Sequence, residues 1–141
     1  MSFYLIVAHQ TAQSPELQDK VAALVGEDPT AEFAILVPEQ DLTSSWEGEG
    51  EGVDIAQQRA HAAQDHFEQT TGARIVRTTV GISDPLRAIE QELVGHRDYN
   101  AIIICTLPRG TSRWLKRDLV SNAQKRFGLP IIHVVGHGAR V

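Results

Sequence analysis

The stretch Asn100–Val135, NAIIICTLPRGTSRWLKRDLVSNAQKRFGLPIIHVV, decides the fold. It opens with an apolar run, Ala101 to Cys105, too short for a helix and rich in β-branched residues, which predicts a buried strand. A loop containing Pro108, Arg109, Gly110, Thr111 and Ser112 follows, then a segment with helical spacing. Gly128 and Pro130 stop that helix, and a second apolar run begins at Ile131. Strand, loop, helix, strand is one half of a doubly wound α/β fold. In such folds small ligands sit at the loops that leave the carboxyl ends of the strands. The loop Thr106 to Ser112 is therefore the first candidate site.

Upstream the same alternation recurs. Tyr4 to Ala8 reads as a buried strand. Ser14-Pro15-Glu16 supplies a cap, a first-turn proline and a first-turn acid, and Leu17, Val21, Leu24 and Val25 form the apolar face of the helix that follows. That helix ends near Gly26 to Pro29. Phe33 to Val37 is a second strand closed by Pro38. Leu42 to Gly52, with its alternating Glu and Gly after Trp46, predicts a mobile loop. Val53, Ala56, Ala60, Ala63 and Phe67 then recur at helical spacing, with small residues suited to close approach onto a sheet. Gly72 ends this helix. Arg74 to Val80 alternates like a strand with one partly solvated face, and Ser83-Asp84-Pro85 caps a helix with Leu86, Ile89 and Leu93 inward. Strands and helices in strict alternation predict one domain over residues 1–141, an α/β fold with a five-stranded parallel sheet and helices on both faces.

Composition narrows the function classes. No run has the apolar length of a membrane span, and the first residues lack a basic, apolar leader. Cys105 is the single cysteine of 141 residues, which excludes an internal disulfide and suits a cytoplasmic setting. A net charge of -5 argues against general nucleic-acid binding, which depends on neutralising phosphates. The charges are nonetheless segregated. Arg109, Arg113, Lys116, Arg117, Lys125 and Arg126 lie close together, while Glu47, Glu49, Glu51 and Asp54 cluster elsewhere, so local anion binding stays open.

The order of elements resembles the universal stress protein family. SDPLRAIEQELVGHRDYNAIIICT, Ser83 to Thr106, looks like the family's Gly-Asp-Pro turn, its following helix and its fourth strand. Ser112-Arg113 with Leu115, and Gly128-Leu129-Pro130-Ile131-Ile132, also fall where the family places similar residues. The resemblance implies strand order 3-2-1-4-5, a homodimer through the last strand, and ATP or another adenine nucleotide as ligand. Nucleotide-binding members carry a glycine-spaced phosphate motif after the fourth strand. Here Cys105 and Pro108 stand nearest its first two glycines, Arg117 and Asp118 near its final pair, and only Gly110 remains in the loop. Gln10 stands where such members place an aspartate after the first strand. The departure matters chemically: glycines let backbone N–H groups crowd around a polyphosphate, whereas Pro108 has no N–H to offer.

Arg109-Gly110-Thr111-Ser112-Arg113 reads as a replacement anion cradle with two guanidinium groups, two hydroxyls and a helix N-terminus. The ordinary alternative is that Thr111 or Ser112 is only an N-cap. Trp114 either stacks on a base or simply packs. His9, Gln10 and Thr11 leave the first strand at the same sheet edge as that loop and offer hydrogen bonds to a ligand, although a buried strand-end histidine explains His9 equally simply. Val37, which ends the second strand, and Thr106, which opens the loop after the fourth, are candidate ligand contacts as well. Gly81 follows the third, where it either walls a pocket or relieves a tight turn. Glu39 and Gln40 follow Val37, where a solvated loop is the simpler reading.

His61 and His66 are five apart on a helix, His133 and His137 four apart on a strand and its exit. Neither pair has an accompanying carboxylate or thiol cluster, so no metal site is expected. Nothing in the sequence pairs a nucleophile with a base, so no catalytic residue and no enzyme activity are expected. Two readings follow: a small-ligand or adenine-nucleotide sensor with a non-standard anion loop, or a ligand-free homodimer acting through protein contacts.

Overall fold

The computed structural model describes residues 2–9, 11–12, 14–38, 51–82, 84–95, 98–108 and 118–136, with residues 51–56 described by their backbone alone. Along the chain run β1 (Phe3–Val7), α1 (Pro15–Glu27), β2 (Glu32–Pro38), α2 (Glu51–Thr71), β3 (Arg74–Gly81), α3 (Pro85–Gly95), β4 (Ala101–Thr106), α4 (Leu119–Phe127) and β5 (Ile131–Val135). The five strands form one sheet in the order β3-β2-β1-β4-β5. Every neighbouring pair is parallel. The sheet read from the sequence is thus the sheet observed.

Side chains on successive strand residues point to opposite faces, and both faces are apolar. Ile6, Phe33, Ile35, Val37, Ile75 and Ile103 pack with Leu17, Val21 and Leu24 of α1 and with Ala60, Ala63 and Phe67 of α2. On the other face Leu5, Val7, Leu36, Ile102 and Ile104 pack with Ala88 and Ile89 of α3 and Leu119 and Ala123 of α4. Burying each Leu, Ile or Phe contributes ~1.5–3 kcal/mol. The central strands, covered on both sides, carry most of that contribution.

Helix starts and stops follow local chemistry. Ser14 caps α1, its Oγ accepting from Leu17 N at 3.3 Å, and Pro15 occupies the first turn, where no N–H is needed. Asp84 caps α3, its Oδ1 accepting from Leu86 N at 3.1 Å and Arg87 N at 3.4 Å. Gly72 and Gly128 end α2 and α4 with φ of 70° and 67°, the left-handed conformation that costs glycine least.

Two features differ from the sequence reading. Glu51 and Gly52, assigned to the loop Leu42 to Gly52, form the first turn of α2. The remainder of that loop, and with it the expected mobility, lies outside the described residues. The alternation of β3 breaks: Phe33 pairs with Ile75 but Ala34 with Arg77, so Val76 is a bulge residue and 46% exposed. The apolar pattern gives no sign of one further buried residue, Glu92 on α3. It is buried because Arg77 Nε donates to its Oε1 at 3.0 Å and the Tyr99 hydroxyl donates to the same oxygen at 2.9 Å. Arg77 Nη2 also donates to the Tyr99 hydroxyl, at 2.5 Å, and Phe3 stacks on the Tyr99 ring. Burial first, and the Glu92 carboxylate second, push the Tyr99 hydroxyl pKa well above its ordinary value. A buried carboxylate is tolerated here because each of these groups answers another.

Candidate functional site

The connection from β1 through α1 leads to β2 on one side, while β4 pairs on the other. The carboxyl ends of β1 and β4 therefore lie at the point where strand order reverses, the usual ligand crevice of an open α/β sheet. Of the candidate residues, His9, Thr11, Val37, Gly81 and Thr106 are described. Gln10, Arg109, Gly110, Thr111, Ser112 and Arg113 lie outside the described residues, as do Glu39, Gln40, Ser83, Trp114, Lys116, Arg117 and His137.

Among the described residues, the polar groups at this end are mostly committed to one another. Thr11 Oγ1 donates to the Cys105 carbonyl at 3.0 Å, which ties the loop after β1 to the end of β4. Ser14 Oγ, besides capping α1, lies 3.7 Å from Cys105 Sγ. Thr106 Oγ1 and His133 Nε2 share a hydrogen bond of 2.8 Å, and Gly136 N donates to the Thr106 carbonyl at 2.8 Å. Gly136 must be glycine here: a Cβ would sit 2.5 Å from Ser14 Oγ and 3.1 Å from Cys105 Sγ. The exit of β5 is thereby pressed against the loop after β1.

Cys105 is buried, and burial pushes its thiol pKa up. That is opposite to the activation a nucleophilic cysteine needs, so it behaves as a packed thiol. Val37 is wholly buried in the core, and its side chain presents no surface at the crevice. Gly81 is explained by packing: a Cβ would come within 2.7 Å of Ala88 Cβ and 3.1 Å of Leu36 Cδ1, so glycine lets α3 approach β3.

His9 differs from its neighbours. It is 8% exposed, and among the described residues its Nδ1 and Nε2 are both buried without a hydrogen-bond partner. Its carbonyl is satisfied, accepting from Ala12 N at 3.2 Å and from Arg59 Nη1 at 3.5 Å. The imidazole pKa is lowered to about 4, chiefly by burial and next by the Arg59 charge. The ring is therefore neutral near pH 7, with one N–H donor and one acceptor nitrogen. Each unsatisfied buried group costs about 1–3 kcal/mol, a penalty that any partner supplying the missing bonds would relieve.

Sequence reasoning missed two residues at this end. Arg59 lies on α2, one residue before buried Ala60, and no local pattern links it to His9, 50 positions away. His133 drew notice only as a metal candidate, whereas its register opposite Ile104 brings it to Thr106. Among the described residues no group of His, Cys, Asp and Glu has a metal-binding arrangement. A separate groove of about 420 Å³ between α3 and α4 is lined by Glu90, Leu93, Val94, Arg126, Phe127 and Leu129. Except for Glu90, midway along α3, these residues lie at or beyond the helix C-termini, hence toward the opposite end of the sheet from His9.

A doubly wound sheet of this order, with its crevice between β1 and β4, defines the class. Within it, the chain has the fold of the universal stress proteins. It superposes on a universal stress protein from Archaeoglobus fulgidus with a TM-score of 0.64, covering 95% of this chain and 93% of that one at 13% identity. A universal stress protein in complex with cAMP gives 0.63 over 98% of both chains at 12% identity. UspA from Lactobacillus plantarum gives 0.58 over 94% of this chain and 97% of that one, at 14% identity. No protein-family model matches the sequence, and no curated protein matches it.

Proposed function

We propose that this chain is a divergent universal stress protein that binds a small ligand, of the adenine-nucleotide class, at the carboxyl ends of β1 and β4. The observation that carries this reading is the buried His9 imidazole, left with two unmet hydrogen-bonding positions at the end of β1. Among the described residues, the neighbouring side chains of Thr11, Ser14, Thr106 and His133 already have partners within the protein. The solved neighbour in complex with cAMP supports an adenine nucleotide as the class. In this reading Arg109, Gly110, Thr111, Ser112 and Arg113 take the phosphate. Their charge-assisted bonds replace the backbone cradle that Pro108 cannot supply.

The protein is read as a sensor or carrier in the cytoplasm rather than an enzyme, in keeping with a cysteine held unreactive. Calorimetry with ATP, ADP and AMP tests the site. Binding should be micromolar or weaker and should fall in Arg109→Ala and Arg113→Ala. Micromolar or tighter binding that both variants leave unchanged would remove the arginine loop from the site.

A second reading, a ligand-free homodimer, is favoured by β5. This strand pairs only with β4 in the chain, and Val135 is 40% exposed on it. An unpaired apolar edge invites strand addition. Sedimentation should show a dimer at micromolar concentration, which a charge at Val135 disperses. A monomer throughout that range, together with no binding at millimolar nucleotide, would defeat both readings.

A further inference from the structure

We propose that two copies of this chain pair antiparallel across β5 in one register, centred on His133, and that protonation of this residue separates them. The inference rests on the homodimer reading above and adds the geometry and regulation of that interface. β5 has only β4 as a neighbour in the sheet. The Pro130 carbonyl accepts from Ile102 N, and Gly136 N donates to the Thr106 carbonyl, so both of these groups turn toward β4. Backbone direction alternates along a strand. Ile131, His133 and Val135 therefore turn their N–H and C=O groups to the free edge.

Identical edges that extend one sheet meet about a twofold axis, and the two strands then run antiparallel. With the axis at His133, this residue faces its own copy and Ile131 faces Val135, so every outward-turned residue finds a partner. On the other face of the sheet Ile132 meets Val134, apolar against apolar. An axis at Ile132 would leave Val135 overhanging the partner strand, and an axis at Val134 would leave Ile131 so. A slip of one residue is barred, because it would oppose side chains of unlike faces.

The centred register sets the strand's one polar side chain against itself. His133 is exposed, and its Nε2 lies 2.8 Å from Thr106 Oγ1. On its face of the sheet β4 presents Ile104 and Thr106. The described charges of α4 are Asp118 at its start and Lys125 and Arg126 in its last turn. None of them shifts the imidazole, whose pKa is lowered by burial alone. α1 packs on the other face, with Ile132 and Val134. The charge that decides the pairing is thus the one on the second copy: like charges directly opposite repel. A proton is bound more weakly in the pair than in the free chain. Association is therefore strongest above the ring's pKa in the free chain and weakens as the pH falls below it.

Sedimentation of the full chain at about pH 7.5 and about pH 5.5 tests the switch. The wild-type dissociation constant should rise at least about tenfold at the lower pH, while His133→Gln, uncharged at both, should stay paired. Cross-linking tests the register. The thiols introduced by His133→Cys stand on Cα atoms about 5.5 Å apart, those of Val135→Cys more than about 13 Å apart. A short thiol-to-thiol reagent should join the first pair and not the second, with Cys105 buried and out of its reach. The same pH response in wild type and His133→Gln would overturn the role of His133, while leaving the dimer intact. A dimer in which Val135→Cys links and His133→Cys does not would overturn the register. A wild type that stays monomeric at the higher pH would defeat this inference and the homodimer reading together.

Discussion

Acidification should weaken this protein through His9, by an amount the structure sets. An imidazole ordinarily titrates at 6.5, and here burial, reinforced by Arg59, holds it at about 4. Between those values the unfolded chain binds a proton that the folded chain refuses. Stability from this group is therefore complete above pH 6.5, falls as the pH drops, and is lost once the pH passes about 4. At roughly 1.4 kcal/mol per pKa unit the whole effect is about 3 kcal/mol, and about 2 kcal/mol is already gone near pH 5.

Urea unfolding of wild type and His9→Leu at about pH 7.5 and about pH 5 isolates it, since carboxylates titrate alike in both proteins. At the higher pH the variant should match or exceed the wild type, because two unsatisfied buried nitrogens disappear. At the lower pH its advantage should grow by about 2 kcal/mol. A stability difference that does not change with pH would show that His9 is not held neutral by burial, and the reasoning would fail.

Gly136→Ala should cost about 1–3 kcal/mol in thermal or denaturant unfolding, because its Cβ would lie 2.5 Å from Ser14 Oγ; a neutral outcome would mean that β5 does not press on the loop after β1. Gly81→Ala should cost a similar amount by pushing Ala88 and α3 off the sheet, with a matching loss of near-ultraviolet ellipticity. Tyr99→Phe should lose about 1–2 kcal/mol by depriving Glu92 and Arg77 of the shared hydroxyl, read as a lower urea midpoint. The Cys105 thiol, 1% exposed, should resist a thiol reagent until the protein unfolds; rapid labelling of the native protein would contradict its burial.

The sheet was legible because its strands are apolar on both faces and the punctuation between elements is chemical. Ile102, Ile103 and Ile104 cannot form a solvated strand, and Ser14-Pro15 and Gly72 mark helix ends by mechanisms that need no tertiary partner. The site was less legible because its organising contacts are distant in sequence. Away from the site the same holds: Glu92 looks like a surface acid until Arg77 and Tyr99 arrive from other elements. Arg59 looks solvated until α2 is laid beside the end of β1. Gly136 looks like a loop glycine until Ser14 and Cys105 close on it. His9 was visible as a strand-end residue, but its unmet hydrogen bonds belong to the packing around it and not to its neighbours in the chain.

The bulge at Val76 bears on how far the protein can assemble. The two rims of the sheet are unlike: β5 is regular and apolar, whereas β3 is distorted at Val76 and flanked by Arg74 and Arg77. A distorted, charged rim is a poor template for a further strand. Two copies joined rim to rim at β5 would have only β3 facing outward at both extremities. Growth would then terminate at a pair, and a chain with so apolar a sheet would be kept from polymerising into fibres.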